Sequence, residues 1–71
     1  SVESTLALEK TVALARLGLL VESHARTNEA NELFTAAVAQ CQTFRKGDCS
    51  ANSVRDWAAY FERRNRPNGG K

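Results

Sequence analysis

Two cysteines, Cys41 and Cys49, bracket the polar segment QTFRKGD in a chain of 71 residues. A thiol pair can exchange electrons, hold a metal or close a covalent loop. The spacing is not Cys-x-x-Cys and no thioredoxin-like pattern surrounds it, which disfavours redox exchange. A tetrahedral zinc site needs four ligands. The two cysteines and the single histidine, His24, leave it one short, and His24 reads as a helix-end residue facing the negative end of a dipole. No metal and no cofactor is expected. A bridge fits better: the chain reverses near Gly47, so the two sulfurs can approach without strain. Closing so short a loop contributes roughly 2–3 kcal/mol in the chain-entropy model. We read a Cys41–Cys49 disulfide in preference to a buried thiol at Cys41 and an exposed one at Cys49. A disulfide in turn points to an oxidising compartment, periplasmic or secreted. The sequence contains no methionine. Ser1 fits either the residue after a removed export signal or a trimmed boundary, and the first suits the cysteine pair.

Nucleophilic catalysis needs a nucleophile, a base and a group that orients the base. One histidine without a surrounding signature builds no such triad, and no glycine-rich phosphate loop is present. The carboxylates have helical charge-pair explanations, Glu22 with Arg26 and Glu62 with Arg66, each four residues apart. The expected protein is therefore not an enzyme. Cationic chemistry is the remaining candidate. Residues 1–40 carry three basic and five acidic groups, and residues 41–71 seven and three, so the halves differ in sign. Arg63, Arg64, Arg66 and Lys71 follow Trp57, Tyr60 and Phe61, and cations beside aromatics can serve single-stranded nucleic acid. Trp57 and Phe61, however, share a face with Val54 and Ala58 and read as core, which leaves Tyr60 as the partly exposed aromatic. A solvated basic end accounts for the same residues.

The elements that must position these groups are helical. Leucine, alanine, glutamate and arginine are plentiful, the only proline is Pro67, and strand-like alternation is absent. Helix one should start near Ser4. Its apolar residues fall into two stripes at 100° per residue. The broad one holds Val2, Leu6, Ala13, Leu14, Leu17, Leu20 and Val21. The narrow one holds Leu8, Val12, Ala15 and Leu19 at the four-three-four spacing of a coiled-coil seam. Glu9 and Arg16 divide them on one side, and Thr11, Gly18 and Glu22 on the other. A surface helix of a small domain needs one apolar stripe, so two stripes imply cover on two sides. The second cover is either another subunit or the wrapping of helix one by both other helices. Thr27 or Asn28 should cap helix two, with one continuous long helix as the alternative. Helix two places Ala30, Leu33, Phe34, Ala37, Cys41 and Phe44 on one face and should end at Gly47. Ser53 with Asp56 resembles a capping box for helix three.

The expected fold is all-α: a helical hairpin of two longer helices plus a short third helix, stapled by one disulfide. Residues 1–66 form a single domain and 67–71 a loose tail. No stretch reaches the roughly 20 apolar residues that span a membrane. The expected role is that of a small exported, non-enzymatic protein that binds other protein chains. It would form a homodimer through Leu8, Val12, Ala15 and Leu19, and could serve an envelope or secretion assembly. The rival reading is a nucleic-acid-binding module using Arg63, Arg64, Arg66 and Lys71. A carrier of a small apolar ligand is a third, for which the chain offers little enclosing volume.

Overall fold

The computed structural model describes residues 2–65. The expected tail at 67–71, and Arg66 and Lys71 with it, lie outside the described residues. Helices α1 (Val2–Ser23), α2 (Thr27–Cys41) and α3 (Ala51–Asn65) follow in order. α1 and α2 form the hairpin, and α3 packs on both. The fold is all-α, with α3 as long as α2 at 15 residues each. No described helix is long and apolar enough to cross a membrane.

The hairpin closes through small residues. α1 buries Ala7, Thr11, Val12, Ala15 and Gly18, and α2 buries Ala30, Phe34, Ala37 and Cys41. Short side chains on both helices let the backbones come close, and most of the core is alanine, with Phe34 as the buried ring among the described residues. Thr11, expected to divide two stripes, lies on this inner face. Its hydroxyl donates to the Ala7 carbonyl oxygen at 2.8 Å, so no polar atom is left unpaired by its burial. Val54 and Ala58 of α3 complete the core, with Trp57 packed partly buried against it.

The turn between α1 and α2 is made without a glycine. Ala25 N–H donates to the Glu22 carbonyl and Arg26 N–H to the Val21 carbonyl, at 2.9 and 3.2 Å. That pair of bonds is a Schellman closure, which needs a left-handed residue at Ala25. Its φ is 63°. The break rules out the continuous helix. The residue preceding α2 is Arg26, with no side-chain cap, so neither Thr27 nor Asn28 performs the expected capping. Arg26 instead pairs with Glu29 at 2.9 Å.

α2 ends at Cys41, six residues before the expected stop at Gly47, and turns carry the chain on to Phe44. The left-handed residue of the following loop is Asp48 (φ 62°), not Gly47. Asp48 accepts a bond from Arg45 at 3.3 Å. α3 begins earlier than the Ser53 cap implies. The Ser50 hydroxyl oxygen accepts the Ser53 N–H at 3.1 Å, which makes Ser50 the cap. Cys41 and Cys49 are disulfide-bonded, with Cα atoms 5.8 Å apart. The bridge ties the loop that launches α3 to the buried end of α2.

Candidate protein-interaction face

Three contacts from α1, and one between the two helices it meets, fix its rotation about its own axis. Gly18 faces the Phe34 ring so closely that an added Cβ would stand 2.8 Å from Cε1. The Arg55 guanidinium lies over the same ring, 4.3 Å from its centroid. Arg55 also donates two bonds to Glu22, Nη1 to Oε1 at 3.0 Å and Nη2 to Oε2. Arg16 donates from Nε to Glu62 at 2.9 Å. The stack Gly18–Phe34–Arg55–Glu22 therefore joins all three helices. The bidentate bond and charge of Arg55 hold the Glu22 carboxyl below its ordinary range, against a smaller opposing effect of burial. Glu22 pairs with Arg55 in place of the expected Arg26, and Glu62 pairs with Arg16; Arg66, the expected partner of Glu62, lies outside the described residues.

With this rotation the two apolar stripes exchange the roles read from the sequence. Val12 is 6% exposed and Ala15 fully buried, while Leu19 packs partly buried against the core. These residues are enclosed by the chain's own helices. Ala15 offers a second chain no surface and Val12 little, so Leu8, Val12, Ala15 and Leu19 do not form the continuous exposed seam expected; Leu8 and Val12 instead line an open depression with Arg16 and Phe61. Leu8 alone keeps appreciable exposure, at 37%. The large side chains left outside belong to the broad stripe: Val2 at 75%, Leu6 at 50%, Leu17 at 46% and Leu20 at 56%. Ala13 is exposed among them. The physical reason is size. The inner face of a close hairpin selects small residues, so Leu6, Leu17 and Leu20 are left on the other side, while Leu14, Leu19 and Val21 pack partly buried against the core at its edges.

The outer strip has relief. A depression of about 350 Å³ lies on its α2 side, bounded by Lys10, Ala13, Leu14, Leu17 and Gln40. A second, of about 320 Å³, lies on its α3 side, bounded by Ala13, Arg16, Leu17, Leu20 and Glu62. Both are open and mostly apolar, and both meet the ridge of Ala13 and Leu17. This is the form of a surface that receives side chains from a neighbouring helix.

The other candidate groups are dispersed. His24 is exposed on the α1–α2 turn, and both cysteines are bonded to each other. Among the described residues, no group of three or more His, Cys, Asp or Glu side chains could hold a metal ion. Arg63 and Arg64 are exposed on α3. Arg64 lies over the Tyr60 ring at 5.6 Å and donates to its hydroxyl at 3.2 Å. Glu62, next to them in the chain, pairs with Arg16 at 2.9 Å. Tyr60 is half exposed, as its position on α3 implies, and meets Phe61 edge to face at 6.1 Å.

Comparison with family models, curated proteins and solved structures returns no match.

Proposed function

We propose that this protein is a non-catalytic, disulfide-stapled helical module of an oxidising compartment, periplasmic or secreted, that works by docking another protein chain on the outer face of α1. The observation that carries the reading is the exposed row Val2, Leu6, Leu17 and Leu20 on one side of a single helix. Solitary exposed leucines are ordinary, whereas four large exposed apolar side chains on one side of one helix, with Ala13 between them, mark an interaction surface. The Cys41–Cys49 bond supports the compartment. The non-catalytic part rests on the residue inventory, with one histidine and no free thiol among the described residues.

A photo-crosslinking residue at position 17 tests the reading in cells that make the protein, with position 36 on the exposed back of α2 as control. Protein adducts at 17 and none at 36 are expected. An absence of adducts at both positions refutes docking. Salt-sensitive binding to single-stranded nucleic acid, lost on replacing Arg63 and Arg64, would put the basic end of α3 in its place.

A further inference from the structure

Three residues of the outer strip of α1 keep their order when its direction is reversed: Ala13 at the centre, Leu6 seven residues before it and Leu20 seven residues after. Seven residues are close to two helical turns, so the three lie along one line. Glu9 and Arg16, also seven apart, lie on the edge of the strip that faces α3, where Arg16 is held by Glu62 at 2.9 Å. The two charges have opposite sign, so reversing the helix exchanges an acid for a base. Lys10 stands on the opposite edge, beside Gln40 of α2.

We infer that the occupant of this strip is a second copy of the chain, with the two α1 helices antiparallel about a two-fold axis at Ala13. The inference rests on the docking reading above. A two-fold axis lying in the interface and perpendicular to the helices keeps each edge of the strip facing itself with its order reversed. Leu6 then packs beside the partner's Leu20, and Ala13 meets the partner's Ala13 where a small side chain permits close approach. Glu9 meets the partner's Arg16, and Arg16 meets the partner's Glu9. The depression on the α3 side of the Ala13–Leu17 ridge lies level with the partner's Leu6 and can receive it. Antiparallel alignment also sets the two helix dipoles head to tail.

The contact runs from Leu6 to Leu20, about 21 Å of helix. A seam one helix wide falls below the roughly 1,200 Å² of total buried surface found at the lower end of stable interfaces. The dimer is accordingly weak, with a dissociation constant on the order of 100 µM.

Sedimentation equilibrium between about 10 µM and about 1 mM brackets that constant. The wild type should pass from monomer to dimer across the range. Leu17→Glu should weaken association at least tenfold while its helical circular dichroism is unchanged, because Leu17 lies outside the core. The orientation has its own test. Glu9→Arg and Arg16→Glu each place like charges together in their own homodimers, so each alone should associate several-fold more weakly. An equimolar mixture of the two restores both opposite-charge contacts in a heterodimer and should recover wild-type association. A wild type that stays monomeric at the highest concentration overturns the second copy, and adducts at position 17 to a different protein would then leave docking itself standing. A dimer indifferent to Leu17→Glu overturns both. A mixture no tighter than its components overturns the antiparallel arrangement.

Discussion

Replacing Gly18 with alanine sets two effects of opposite sign against each other. Glycine inside a helix is less favourable than alanine by about 0.8–1.0 kcal/mol, so propensity alone makes Gly18→Ala stabilising. Packing opposes it. The new Cβ would stand 2.8 Å from Phe34 Cε1, 3.0 Å from Cζ and 3.1 Å from Cδ1. The ring is 3% exposed and carries the Arg55 guanidinium at 4.3 Å, so it cannot swing aside freely. Overpacking of this kind costs about 1–3 kcal/mol, and displacing the ring weakens the cation–π contact by about 0.5–1 kcal/mol more. The net expectation is a loss of about 0.5–3 kcal/mol, from a total of about 4–10 kcal/mol for a chain of this length. At about 4–8 °C per kcal/mol, the melting temperature should fall by about 2–25 °C. Thermal circular dichroism under non-reducing conditions reads this directly. Gly47→Ala is the control, because nothing lies within 4 Å of its added Cβ and its φ is not positive. It should be neutral or slightly stabilising. A rise in melting temperature for Gly18→Ala would show that the close hairpin does not constrain this position.

Three further perturbations probe the other supports. Because the Glu22 carboxyl is held below the ordinary value near 4.5, its pairing with Arg55 stabilises fully above that value and is lost as pH falls through the lowered one. The melting-temperature gap between wild type and Glu22→Gln should therefore be constant near neutrality and close in acid. A gap that persists into strong acid contradicts the pairing. Cys41→Ala with Cys49→Ala should cost about 2–3 kcal/mol in chemical denaturation, and an unchanged midpoint would deny the staple its stabilising role. Ala25→Gly relieves a left-handed alanine and should raise stability by about 0.5–1 kcal/mol; a drop would mean that the added freedom of the unfolded chain outweighs the relief.

The contrast between α1 and α2 marks what was legible in the sequence. α2 is one-sided: Ala30, Phe34, Ala37 and Cys41 recur at spacings of three and four, and all four are buried as the pattern implies. The disulfide was legible for a similar reason, since two cysteines eight positions apart leave few alternatives. α1 carries apolar residues around most of its circumference, so periodicity does not choose a face. Hydrophobicity favours the stripe with more leucines, whereas close packing favours Ala7, Thr11, Ala15 and Gly18. Those small residues spaced three and four apart were the available signal. Local rules failed where an unusual residue does a common job. Ala25 sits where glycine is normal, and Ser50 caps α3 in place of Ser53, because serines three residues apart offer the same capping group and the helix starts at the earlier one.

The face by which α1 meets another copy can be read residue by residue from nuclear magnetic resonance spectra of the folded protein, diluted from about 1 mM to about 10 µM. Signals of Leu6, Ala13, Leu17 and Leu20 should move with concentration, while those of Thr11 and Ala15 stay fixed. Shifts confined to the Arg63–Arg64 end of α3, or spectra that do not change at all, would contradict pairing through the outer strip of α1.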